Sequence, residues 1–104
     1  MKNFNIRYSE EFVEHLETYI NRLEEKSPQA ANKLRKHIKK YLINLKRFPK
    51  IGSKVQSSIK SLTKYRKIVV IYDYLIFYYL DEREKIVYIV DIVHGKQNYE
   101  HHLK

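Results

Sequence analysis

His94 stands at the end of an apolar run, immediately before Gly95, with Asp91 upstream and Lys96 downstream. A side chain at such a strand end can project into a cleft, and an imidazole there titrates near neutral pH, which suits acid–base work. Arg66, early in a second apolar run, adds a guanidinium that fits a phosphate or an acidic segment of a partner. Each residue also has a plainer reading. A strand-end imidazole can hydrogen-bond a backbone carbonyl, Asp91 can pair with a cation such as Arg66 or Lys96, and Arg66 can be one more surface charge.

Other chemistries find no support. The chain has no Cys, which excludes a disulfide framework, a thiolate zinc site and a cysteine nucleophile. His15, His37, His101 and His102 form no metal-binding spacing with carboxylates. Ser53, Ser57, Ser58 and Ser61 lack a neighbouring His in a strand–turn context. With only 2 Gly and 2 Pro there is no Walker loop or dinucleotide fingerprint. We expect no metal and no cofactor.

The elements that must position these residues are legible in sequence order. Phe4, Ile6 and Tyr8 alternate with polar neighbours over 3–8, the period of a half-buried strand. Ser9 caps a first helix, with Glu10 and Glu11 in its first turn and Phe12, Leu16, Tyr19, Ile20 and Leu23 as its apolar stripe, ending near Glu25. Ser27-Pro28 opens a second helix, whose stripe is Leu34, Ile38, Tyr41, Leu42 and Leu45 and which closes near Phe48-Pro49. The short break between them predicts an antiparallel hairpin. Residues 51–63 read as an irregular connection. Strands are expected over 64–71, 74–80 and 85–94, with turns at Tyr72-Asp73 and at 81–84, and a short helix or tail over 96–103.

The 104 residues suit one α+β domain over 1–104: an N-terminal strand and a helix hairpin packed on a small, mostly antiparallel sheet. If Ile71 pairs with Tyr74, one sheet face carries Tyr65, Lys67, Val69, Ile71, Tyr74, Ile76, Tyr78 and Leu80. The other carries Arg66, Ile68, Val70, Leu75, Phe77 and Tyr79, and Asp91 joins it if Leu80 pairs with Ile86. Both faces are largely apolar, and the helices can cover one. The second is then a candidate partner surface through Ile68, Leu75, Phe77 and Tyr79, unless the C-terminal stretch or a homodimer covers it.

Charge is strongly polarised. Between Lys26 and Lys67 stand fourteen Lys and Arg and no Asp or Glu; the rest holds seven basic and twelve acidic residues, and 14 − 5 recovers the net +9. Such a field attracts polyanions or an acidic protein segment, and Lys33, Lys36, Lys39, Lys40, Lys46 and Arg47 on the second helix are its densest surface. A solvated helix face is the plain alternative. The longest apolar run, 74–80, is too short to span a membrane, and the N-terminus carries no secretory apolar region, so a cytoplasmic protein without membrane contact is expected.

The order of elements resembles the RelE/ParE family of toxins from bacterial type II toxin–antitoxin modules. Six stretches carry the resemblance: Arg7-Tyr8-Ser9; Ser27-Pro28-Gln29-Ala30-Ala31; Phe48-Pro49-Lys50-Ile51-Gly52; Tyr65-Arg66-Lys67-Ile68-Val69-Val70; Tyr74-Leu75-Ile76-Phe77-Tyr78; and Val93-His94-Gly95-Lys96-Gln97-Asn98-Tyr99. It implies a toxin neutralised by a cognate antitoxin; a homodimer and a toxin–antitoxin hetero-oligomer are both open to it. RelE-like members are ribosome-dependent endoribonucleases acting on mRNA, and ParE-like members bind DNA gyrase; fold alone does not choose between them.

The ribonucleases place several basic side chains on the sheet and an aromatic residue near the C-terminus. By resemblance Arg66 keeps the first basic place, but the second is Ile68. The Arg expected after Tyr74 is Leu75. Lys96 falls near the last basic place, and Tyr99 loosely matches the aromatic. Losing one preorganised electrostatic contact commonly costs about 3 kcal/mol in rate, so two aliphatic replacements argue against this chemistry. The resemblance therefore favours a non-catalytic gyrase inhibitor. The alternatives are a ribosome-dependent endoribonuclease, with His94, Asp91 and Lys96 as a different catalytic set, and an inactive antitoxin-binding family member.

Overall fold

The computed structural model describes residues 3–95. The chain runs β1 (Asn5–Tyr8), α1 (Glu10–Lys26), α2 (Pro28–Arg47), β2 (Ser53–Lys54), β3 (Arg66–Val70), β4 (Tyr74–Asp81) and β5 (Ile86–His94). Single 3₁₀ turns at Lys60–Leu62 and Ile71–Asp73 precede β3 and β4. The five strands form one sheet in the order β1-β5-β4-β3-β2, with β1 parallel to β5 and every other pairing antiparallel.

The helices start where their caps dictate. Ser9 Oγ accepts from the Phe12 N–H at 3.0 Å, and Ser27 Oγ accepts from the Ala30 N–H at 3.2 Å. Ser27 also ends α1, its own N–H donating to Leu23 O at 2.7 Å, so one residue links the two helices. Phe12 of α1 and Leu34, Ile38 and Leu45 of α2 bury against Ile68, Val70, Tyr74, Ile76, Tyr78, Val87, Ile89 and Ile92 of the sheet. This burial of apolar area is the main force joining the hairpin to the strands.

The β3–β4 register differs from the expected one. Val70, not Ile71, pairs with Tyr74, and Ile71–Asp73 form a three-residue connection in which Tyr72 and Asp73 adopt φ of 65° and 61°. A one-residue slip reverses the faces of one strand relative to its neighbour. Arg66, Ile68 and Val70 therefore share a face with Tyr74, Ile76 and Tyr78, whereas Lys67 and Val69 lie opposite Phe77 and Leu75. The β4–β5 hairpin also shifts, pairing Leu80 with Val87 and Asp81 with Ile86.

The second face is not open as expected. Leu75 and Phe77 form a second core with Tyr65 and Val93, roofed by Val55 and Leu62 from the segment read as an irregular connection. That segment also supplies β2, which pairs Ser53 with Lys67 and Lys54 with Arg66. A Ser- and Lys-bearing stretch with apolar residues at uneven spacing carries no periodic signal, yet Val55 and Leu62 are each only 2% exposed.

Candidate functional site

Arg66 opens β3 but does not project freely. Its Nη1 donates to Gly52 O at 2.7 Å and to Lys50 O at 3.3 Å. Across the ladder, buried Tyr78 receives the Gly52 N–H at 2.8 Å and donates its hydroxyl to Pro49 O at 2.8 Å. The two side chains clamp the backbone that leaves α2. Gly52 is required there by close approach, since a Cβ would sit 2.6 Å from the Tyr78 hydroxyl and 2.8 Å from Lys67 O. Burial pushes the Tyr78 phenol up from its ordinary value, opposed by the Gly52 N–H and the Arg66 charge.

Three of the four apolar residues expected to meet a partner are internal. Ile68 lies under the helices, and Leu75 and Phe77 fill the second core. Tyr79 remains partly accessible, its ring stacked on Tyr88 at 4.9 Å and meeting Tyr65 edge-on at 5.7 Å, with the Lys64 ammonium 4.9 Å from its centroid.

Asp91 and His94 do not form one site. Asp91 is 3% exposed, and it forms an ion pair with His15. A carboxylate oxygen lies 2.6 Å from His15 Nδ1 on α1 and accepts the Ile92 N–H at 2.8 Å. A bulge sits beside it: Phe77 faces Asp91 and Tyr78 faces Ile89, leaving Val90 as the extra residue. β1 ends opposite Ile89, and the chain entering α1 takes over, Ser9 donating its N–H to Ile89 O and its hydroxyl to Val90 O. His94 is three residues further along the strand, about 10 Å away at strand rise. Its ring meets Tyr74 edge-on at 5.4 Å in a cleft with Tyr19 and Arg22. Lys96 and Tyr99 lie outside the described residues.

The six basic residues of α2, Lys33, Lys36, Lys39, Lys40, Lys46 and Arg47, are all exposed. Lys39 and Lys46, with Arg35, rim a groove of about 250 Å³ between the helices and β1, floored by Ile6, Leu16, Ile20, Ile38 and Leu42. Tyr8 and Ile43, each about half exposed, flank it. Arg47 instead lies over the Phe48 ring at 5.6 Å. An apolar floor with cationic edges fits one face of an acidic amphipathic segment. Tyr8, Arg35 and Ile43 were not singled out by sequence, because Tyr8 reads as a strand residue and a groove between elements has no linear motif. His15, an isolated histidine in sequence, becomes a site neighbour only through α1 docking on β5.

No helix among the described residues is long and apolar enough to cross a membrane. The fold is similar to two solved structures. A mutant of the Escherichia coli toxin RelE in the free state aligns with a TM-score of 0.62 and 13% identity, covering 97% of this chain and 93% of that one. The toxin–antitoxin complex RelBE2 of Mycobacterium tuberculosis aligns with a TM-score of 0.57 and 16% identity, covering 88% and 98%. No curated protein matches the sequence. The model of the family described as the ParE toxin of type II toxin–antitoxin system, parDE, matches residues 6–99. With that match spanning nearly the whole chain, and the helix hairpin on a five-stranded sheet as its fold, the chain belongs to the RelE/ParE family of type II toxins, on the model of its ParE toxin members.

Proposed function

We propose that this toxin, one cytoplasmic domain over 1–104, arrests growth by binding DNA gyrase and carries out no catalysis of its own. The observation that carries the reading is the fate of the basic places a ribonuclease would use. Ile68 and Leu75 are aliphatic and buried in the two cores, and the Arg66 guanidinium is engaged by the Lys50 and Gly52 carbonyls. A phosphorane forming on RNA needs preorganised positive charge, and these three positions offer it none that is uncommitted. The ParE family match supports the same branch.

A cognate antitoxin is the expected partner in the cell, and the groove between the helices and β1 is its best-fitting seat. Lys39, Lys46 and Arg35 would meet acidic side chains, and Ile38, Leu42 and Ile43 the apolar face of the segment.

The deciding experiment is pulse incorporation of labelled thymidine and methionine within minutes of inducing the toxin alone in a bacterium. DNA synthesis stopping first, followed by inhibition of supercoiling by purified gyrase, is the expected result. Methionine incorporation collapsing first, with toxicity abolished by Arg66→Ala or His94→Ala in a stable protein, would replace this reading with ribosome-dependent mRNA cleavage. Absence of any growth effect would leave an antitoxin-binding protein without toxic activity.

A further inference from the structure

A second cleft, of about 300 Å³, opens between the C-terminal half of α1, the start of β4 and the end of β5. It is lined by Tyr19, Arg22, Leu23, Lys26, Tyr74 and His94. The rings are fixed against one another, Tyr19 to Tyr74 at 4.9 Å between centroids and Tyr74 to His94 at 5.4 Å. Burial and the neighbouring Tyr19 push the Tyr74 phenol up, with Arg22 acting in the opposite sense, so the hydroxyl keeps its proton at neutral pH and can donate it in a hydrogen bond.

Arg22 and Lys26 stand four residues apart on one face of α1, a spacing at which like charges repel. Lys26 also faces the carbonyl end of the helix, which favours a cation there. Arg22, a turn earlier, has no such compensation. Among the described residues neither is in an ion pair, although Arg35, Lys50 and His15 each have a carboxylate partner. Among the described residues, two cations, an imidazole and two phenols thus converge on a cavity that Leu23 also lines.

We propose that this cleft binds a phosphate monoester dianion. Arg22 and Lys26 hold the phosphoryl oxygens, His94 and the tyrosine hydroxyls complete the donor set, and the rings and Leu23 receive the organic group. A single carboxylate, with one charge and two oxygens, would leave much of this donor set unused. The volume meets the lower bound of small-molecule pockets, about 300 Å³, and exceeds the need of a bare phosphate ion. The site lies apart from the helix–β1 groove and does not depend on the gyrase reading.

The test is calorimetric titration of the full chain with inorganic phosphate and with adenosine 5′-monophosphate, at constant ionic strength, with acetate as the comparison anion. Both phosphates should bind and acetate should not compete. Arg22→Gln should weaken binding about ten-fold, as expected for a charge-assisted contact, and His94→Gln should weaken it less. Arg83→Gln, in the exposed turn between β4 and β5, should change nothing. The nucleotide should bind more tightly than inorganic phosphate, and equal binding of the two would overturn the assignment of a monoester. The proposal fails if acetate binds as well as phosphate. It also fails if neither phosphate binds at millimolar concentration, or if Arg22→Gln and Lys26→Gln, with unchanged circular dichroism, both bind like the parent protein.

Discussion

The Nδ1 atom of His15 lies 2.6 Å from a carboxylate oxygen of Asp91, joining α1 to β5 across a sequence separation of 76 residues. Asp91 is the charged residue that the described part of the protein buries, and its second bond, from the Ile92 N–H, holds the carboxylate against its own strand. The pair has the character of a structural tie. Asp91→Ala removes these bonds and should lower unfolding free energy by about 2 kcal/mol, with Asp91→Asn costing less because its amide oxygen can still accept. Urea denaturation at pH 7 measures this; an Asp91→Ala midpoint matching the parent, combined with lost toxicity, would make Asp91 a functional carboxylate instead.

Tyr78 and Arg66 clamp the chain that leaves α2, through the carbonyls of Pro49 and Gly52 and the Gly52 N–H. Tyr78→Phe should cost about 2 kcal/mol by stranding the Pro49 carbonyl and the Gly52 N–H, and it should couple to Arg66→Ala by about 1 kcal/mol in a double-mutant cycle. Additive effects of the two changes would disprove the clamp.

The same phenol sets an alkaline limit. Its pKa in the folded protein is raised above the ordinary 10.0, so the folded state holds the proton more tightly than the unfolded state. The contribution is fully present below the unfolded value and is lost as pH rises through the folded one. Stability measured from pH 8 upward should therefore fall more steeply above about pH 10 in the parent than in Tyr78→Phe; parallel curves would show that Tyr78 does not control that limb.

At the β3–β4 connection, Tyr72 holds φ 65°, ψ 30°, a left-handed conformation that costs an L-residue roughly 1–2 kcal/mol. Tyr72 is 41% exposed, so little packing offsets this. Tyr72→Gly should raise stability by up to about 1 kcal/mol after the added unfolded-state entropy of glycine. Gly95→Ala should act in the other direction, because its Cβ would lie 2.8 Å from Asp73 O in the same turn. Thermal melts of both variants check the pair of signs.

For the antitoxin, Lys39→Glu with Lys46→Glu should weaken affinity about ten-fold and flatten its salt dependence, since both charges rim the groove. Ile43→Ser should weaken it without altering the salt dependence. Titration of the purified pair at low and high salt separates the two effects. Unchanged affinity in both variants would move the antitoxin off this groove.

What the sequence determined by itself was local. Ser9 and Ser27-Pro28 announce their helices because a capping hydroxyl and a proline at the first helical position act within one turn. The stripes around Phe12 and Leu34 face the sheet because helical spacing leaves them one apolar side. The β-branched and aromatic runs became β3, β4 and β5.

Only the tertiary structure decided which surfaces remain. The pairing of Val70 with Tyr74 follows from a three-residue turn in which Tyr72 and Asp73 take left-handed conformations, chemistry that a sequence without glycine there does not advertise. That slip put Ile68 under the helices, and unevenly spaced Val55 and Leu62 closed the opposite face over Leu75 and Phe77. Asp91 met His15, and His94 met Tyr74 and Arg22, because strand pairing and helix docking bring together side chains that are far apart in the chain. Periodicity assigns each residue a face of its own element; what lies against that face is set by the packing of all the elements at once.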